Sequence, residues 1–335
     1  MRTFDRKHRA SRTLIVAARA GTIAFLAIVL ITPAAQAAPL GADGLSWHRL
    51  DLPQRPDVGA AMAMAYDPAR DAVIAYGGFL EDGSYTDATW SWDGTAWSNA
   101  GGGSAPPPRA AAGMAYDGPT NRLVLFGGFN GSTFLGDTWV FGGRGWVERH
   151  PDHGPSGLTG TMLFPDPLNG RVDLFGGFDG RLFEYQTWQW TGKDWKKVRT
   201  AHFPEARAAG VCALDEANGE VVLFGGISGL RSDNTWTFDG TDWTERSPAH
   251  QPPLRFETAT AYDPDLQQVV VFGGASPDGT LGDTWGWNGS DWVDLAPLRS
   301  PSARSSPGLA YDPSNGLMLL GGEHGNKVLH GTWVL

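Results

Sequence analysis

Four arginines hold the most promising chemistry in the sequence. Arg109, Arg207, Arg255 and Arg304 each stand seven residues before the tyrosine or leucine that precedes an aspartate (Tyr116-Asp117, Leu214-Asp215, Tyr262-Asp263, Tyr311-Asp312). A guanidinium offers a planar fork of donors that matches a carboxylate or another anion. Four of them around one opening would make a ligand-binding set; recurrence at one position equally suits a role inside a repeating unit. Histidines are the next candidates. His150, His153, His202, His250, His324 and His330 come from four separate segments, without the compact spacing of a metal site, so no metal is expected. Three Asp-x-x-Asn-Gly runs, beginning at Asp166, Asp215 and Asp312, lack the ligand ladder and terminal glutamate of a calcium loop and read as Asx turns. Cys212, the only cysteine, lies in the apolar run Val211-Cys212-Ala213-Leu214 and reads as a buried small hydrophobe. No catalytic constellation and no cofactor-binding pattern emerges, and the glycine doublets lack the spacing and following helix of a phosphate loop.

The elements that must position these residues are repeats. Glycine doublets fall at Gly77-Gly78, Gly127-Gly128, Gly176-Gly177, Gly225-Gly226, Gly273-Gly274 and Gly321-Gly322, spaced by 48–50 residues. A Thr-Trp pair follows each, ending at Trp90, Trp139, Trp188, Trp236, Trp285 and Trp333. Each unit reads as four short strands. The first is rich in small residues (Ala111–Asp117), as an innermost strand near an axis requires. The second (Arg122–Phe126) is apolar without alternation, which means burial on both faces. The third carries the Thr-Trp pair, and a tight turn such as Asp93-Gly94 or Asn288-Gly289 leads to the fourth. All 15 tryptophans fall at third-strand, third-strand-plus-two or fourth-strand positions, so packing accounts for every one.

Six units imply a six-bladed β-propeller. The last unit ends at Leu335 without a fourth strand, and Ser46–Leu50 matches the fourth-strand run Asp291–Leu295. The N-terminal strand is therefore expected to complete the last blade and close the ring, removing an open edge. Before it, Arg2, Arg6, Lys7, Arg9, Arg12 and Arg19 lead into an apolar run from Ala20 to Ile31 and then Ala35-Gln36-Ala37. That is the layout of a signal peptide over residues 1–37, with cleavage before Ala38; an uncleaved anchor is the alternative. Residues 38–335 then form one domain, secreted or periplasmic and free of the membrane after cleavage. Without the leader, 20 basic residues face 35 acidic ones, a net of −15 that disfavours nucleic acid and anionic membranes.

The recurring Arg109, Tyr116-Asp117, Gly127-Gly128, Thr138-Trp139 and Trp146 pattern resembles the kelch repeat and the propeller domain of galactose oxidase, over residues 44–335. The resemblance implies an all-β propeller of four-stranded kelch-type blades. Such propellers include protein-binding modules, sugar oxidases and a sialic-acid mutarotase, and fold alone does not choose among them. Copper and a tyrosine–cysteine crosslink, implied by galactose oxidase, find no matching Tyr–Tyr–His–His set around Cys212. The expected function is an extracytoplasmic scaffold recognising a protein or carbohydrate partner through the face that carries the second-to-third-strand loops. Those loops are Phe79–Thr86, Phe129–Phe134, Phe178–Tyr185, Ile227–Ser232, Ala275–Leu281 and Glu323–His330. Aromatic residues concentrate in the first three, and Phe79, Tyr85, Phe134, Phe183 and Tyr185 are candidate ligand-binding residues beside the four arginines. The alternative is a small enzyme acting on a sugar acid, with Glu205 or His202 as acid or base.

Overall fold

A computed structural model of the chain describes residues 44–143, 145–228 and 232–335; the leader and the cleavage site expected before Ala38 lie outside the described residues. Six four-stranded antiparallel sheets form the body. Blade two is representative, with strands Gly113–Asp117, Arg122–Phe126, Thr138–Gly142 and Gly145–Arg149 paired in that order. The first strands of neighbouring blades pack against one another all the way round, including first blade against last, so they are innermost and the ring is closed. Second strands are buried on both faces: Leu123, Val124, Leu125 and Phe126 are each at most 1 % exposed. That is why their sequences are continuously apolar rather than alternating.

Closure follows the expected scheme. His48–Arg49 pairs antiparallel with Thr332–Val334, His48 opposite Val334 and Arg49 opposite Trp333, as the outer strand of blade six. The threonine of the Thr-Trp signature has a physical role that repeats at all six junctions. Each fourth-strand indole donates to the threonine hydroxyl of the preceding blade: Trp97 to Thr332, Trp146 to Thr89, Trp195 to Thr138, Trp243 to Thr187, Trp292 to Thr235 and Trp47 to Thr284, at 2.9–3.2 Å. A buried indole N–H left without an acceptor would cost about 1–3 kcal/mol, so each third-strand threonine is matched to the fourth-strand tryptophan of the next blade. At five junctions the same indole also packs edge-on or tilted against an aromatic ring ending the preceding second strand, as Trp146 does on Tyr76 at 5.1 Å.

The glycine doublets mark where one blade's backbone meets the next. Gly127 has φ +71°, and a Cβ there would lie 2.5 Å from the Leu158 carbonyl oxygen. Gly128 donates its N–H to that same carbonyl at 2.8 Å. No L side chain satisfies both the positive φ and the approach.

Candidate functional site

The arginines point away from the axis and into their own blades. Arg109 is 1 % exposed; its guanidinium donates to the carbonyls of Pro107 and Gly127, and it grips both carboxylate oxygens of Asp137 at 2.6 and 2.7 Å. Arg255 repeats this with Pro253, Gly273 and Asp283. Burial raises the Asp283 carboxyl, but the hydrogen bonds and charge of Arg255 outweigh it and hold the group below the usual carboxylate range. Arg207 instead holds Glu205 at 2.5 Å and Asn234 at 2.8 Å. Each of these guanidinium groups has its charge met inside the protein, so a ring of four anion-receiving arginines at the channel mouth does not form. The physical reason is the aspartate or asparagine just before the third strand, which lies within reach of the guanidinium fork. Arg304 is buried too and bonds Ser302 and Gly321, without a carboxylate.

Glu205 and His202, the acid–base candidates of the enzymatic alternative, are likewise engaged. Burial raises the Glu205 carboxyl, but its hydrogen bonds and the Arg207 charge bring it below its ordinary value. His202 takes part in a second repeating device. The backbone N–H of His153, His202 and His250 donates to one oxygen of Asp194, Asp242 and Asp291, while each ring Nδ1 contacts the other oxygen at 2.7–2.9 Å. Each aspartate belongs to the third-to-fourth-strand turn of the following blade. These histidines therefore staple consecutive blades, with their rings still largely exposed. The hydrogen bond to Asp194, and then its charge, raise the His153 pKa. Among the described residues, no group of three or more His, Cys, Asp or Glu side chains is placed to hold a metal ion. Cys212 is buried, and burial pushes its thiol pKa well up.

The aromatic candidates do come together. Phe79, Phe129 and Phe178, each directly after a doublet, bridge on one side to the blade-to-blade connection and on the other to Tyr85, Phe134 and Phe183 across their own loops. The six rings run on from loop to loop: Phe79–Tyr85 5.5 Å, Tyr85–Phe129 6.1 Å, Phe129–Phe134 4.9 Å, Phe134–Phe178 5.8 Å and Phe178–Phe183 4.8 Å between centroids. Tyr85 lies over Gly131 and Phe134 over Gly180, so each loop rests on the turn glycine of the next. This arc is half-buried and latches the loops of blades one to three into one surface. Apart from it lies an exposed ring pair, Tyr185 and Phe203 at 5.0 Å, exposed 45 % and 51 %, and Leu182, from the same loop as Tyr185, is 60 % exposed. The sequence pointed to Tyr185 but not to Phe203, which sits in a blade-to-blade connection and shares no repeat position with it.

At the axis, six residues just before the first strands form a closed backbone ring. Ala111 donates to Ala61, Gly160 to Ala111, Ala209 to Gly160, Glu257 to Ala209, Ser306 to Glu257 and Ala61 to Ser306, at 2.6–2.9 Å. All six have φ between +52° and +64°. The left-handed conformation, costly for a residue with a Cβ, aims each N–H along the ring and satisfies a donor that would otherwise face its equivalent in the next blade. Five of these positions carry Ala, Gly or Ser; the sixth is Glu257, half-buried. Its departure from the repeat was the available signal.

No protein-family model and no curated relative matches the chain. Among solved structures it is similar to "Structure of YjhT", with a TM-score of 0.63 and 18 % identity, covering 84 % of this chain and 95 % of that one. At that identity the likeness shows the fold: a closed six-bladed β-propeller with four antiparallel strands in each blade.

Proposed function

We propose that this protein is an exported kelch-type propeller that binds a protein or carbohydrate partner through the face bearing its second-to-third-strand loops. The observation that carries this reading is the exposed Tyr185–Phe203 pair, in the half of the loop face that the packed aromatic arc also occupies. Rings held on a rigid frame bury area at low entropic cost, which is how binding hot spots arise. The inward rings serve another purpose: Phe79, Phe134 and Phe183 hold the loops, and Tyr185 and Phe203 offer the contact. The mature protein should first be screened against glycan arrays and extracytoplasmic protein extracts. Tyr185→Ala and Phe203→Ala should then each weaken the partner found by about tenfold or more, the effect of a hot spot worth above about 1.4 kcal/mol. Lys193→Ala, in the third-to-fourth-strand turn of blade three, should leave binding intact. Binding lost in Lys193→Ala and kept in the two loop variants would place the site on the opposite face.

One observation favours a second reading, a small enzyme acting on a sugar acid. Glu257 is the single ionisable residue among the six of the inner ring. In that reading it, rather than Glu205 or His202, transfers the proton. Anomer exchange of a panel of sugar acids, followed by NMR with wild type and Glu257→Gln, tests it; equal rates in both, no faster than in buffer, would dismiss it.

A further inference from the structure

Five blades balance the charge at the base of the second-to-third-strand loop, and blade six does not. Where the arginine is present in blades two and five, an aspartate precedes the third strand (Arg109 with Asp137, Arg255 with Asp283). Blade four pairs Arg207 with Asn234 and Glu205. Blades one and three lack both partners, with Gly59 and Ala88 in one and Leu158 and Gln186 in the other. Blade six alone keeps the arginine, Arg304, and has glycine, Gly331, in place of the acid.

A second change lies across the strand pair. In the three other blades that keep the arginine, the residue opposite the third-strand tryptophan is acidic, Glu148 in blade two, Glu245 in blade four and Asp294 in blade five; blades one and three, which lack the arginine, have Asn99 and Lys197 there. In blade six it is Arg49, opposite Trp333, contributed by the closing N-terminal strand. Both acidic positions have thus been lost, and one has become basic.

We propose that blade six carries a carboxylate-binding site made by Arg304, Arg49 and the indole N–H of Trp333. The protein itself shows what such a donor set holds. In blades two and five, the arginine fork and the third-strand indole converge on one carboxylate: Trp139 donates to Asp137 at 2.6 Å and Trp285 to Asp283 at 2.8 Å. Blade six retains the arginine and the indole. A Cβ at Gly331 would lie 3.3 Å from Arg49 Nε and 3.6 Å from Trp333 Nε1, so both donors border the place where the aspartate stands elsewhere. Among the described residues, neither Arg49 nor Trp333 Nε1 has a hydrogen-bond or ion-pair partner, and no carboxylate pairs with Arg304. Solvent reaches the set through Arg49, which is exposed, and Trp333, which is half-buried, while Gly331 and Arg304 are buried; the equivalent Asp137 and Asp283 side chains are 22 % and 30 % exposed. Consistent with two unbalanced cations, burial and then the Arg49 charge lower the Arg304 pKa to about 10. In a body of net charge −15, this concentrates positive charge at one solvent-facing point.

The site is independent of the Tyr185–Phe203 surface, and its test reads a different residue. Indole signals of ¹⁵N-labelled mature protein can be followed by NMR, with Trp333 assigned from Trp333→Phe. The probes are acetate against acetamide, at constant ionic strength set with chloride. Glucuronate and N-acetylglutamate amide then distinguish a sugar acid from an acidic protein side chain as the source. The expected result is saturable movement of the Trp333 signal with the carboxylates only, the tighter of the last two naming the source. Arg49→Gln, an exposed position, should weaken the response by about tenfold, the loss of one charge-assisted hydrogen bond. Asp283→Ala frees the arginine and indole of blade five from their carboxylate and should make the Trp285 signal responsive as well, more weakly than Trp333 because Asp294 stands where blade six has Arg49. A Trp333 signal that stays still, follows acetamide equally, or is indifferent to Arg49→Gln would overturn the proposal. Aspartate at position 331 is a poor test, because Gly331 has φ +140° and any side chain there is strained.

Discussion

Replacing Asp173 by valine should stabilise the protein, and more so at pH 8 than at pH 5. Asp173 lies in the second strand of blade three and is 0 % exposed, and neither carboxylate oxygen has a hydrogen-bond partner among the described residues. At the same register the other blades carry Ile74, Val124, Val222, Val270 and Met318. Burial, and then the charge of Asp166, push its carboxyl up to about 8. Unfolded, it titrates at ~3.9. Between those values the folded form binds a proton that the unfolded form releases, so stability falls as pH rises through the window. At about 1.36 kcal/mol per unit, the cost relative to a fully protonated group reaches at most about 4 kcal/mol at pH 7. Asp173→Val removes that cost and matches its neighbours, whereas Asp173→Asn removes only the titration. Urea unfolding of the three proteins at pH 5, 6, 7 and 8 gives the stability difference directly. A wild-type-minus-valine difference that is flat across this range would refute the raised carboxyl. A valine variant less stable at every pH would show that the pair with Asp166, itself held by Gln189 at 2.9 Å, contributes more than its burial costs.

Trp47→Ala should lower stability by about 3–5 kcal/mol, as for a fully buried tryptophan, and removing residues 38–52 should cost more, since it also exposes the edge of blade six; thermal unfolding measures both, and an unchanged midpoint would reject the closure. Asp283→Ala should cost about 3 kcal/mol, because it leaves a buried guanidinium without its counter-ion; denaturant unfolding reads this, and a neutral result would mean that the carbonyls of Pro253 and Gly273 suffice. Intact mass of protein recovered outside the cytoplasm should begin at Ala38, and a full-length species extracted only with detergent would reject cleavage.

The sequence by itself determined the architecture. Repeating Gly-Gly doublets, third-strand threonines and fourth-strand tryptophans reported recurring requirements, a positive φ and an indole needing an acceptor. The closing strand was legible for the same reason, because Ser46–Leu50 resembles a fourth strand. The aromatic concentration in the loops of blades one to three could also be read, since it lies in contiguous residues. What the arginines and histidines do was not legible. Their partners lie 28 and 41 residues away, as with Arg109 and Asp137 or His153 and Asp194, and only the pairing of strands and the adjacency of blades bring them together. The individual sites were hidden differently. Glu257, Asp173 and Gly331 are ordinary residues in a linear reading and become exceptional only when the fold superposes six blades. Burial then makes Asp173 costly, the inner ring places Glu257 at the axis, and the strand pairing sets Arg49 beside a position that has lost its acid.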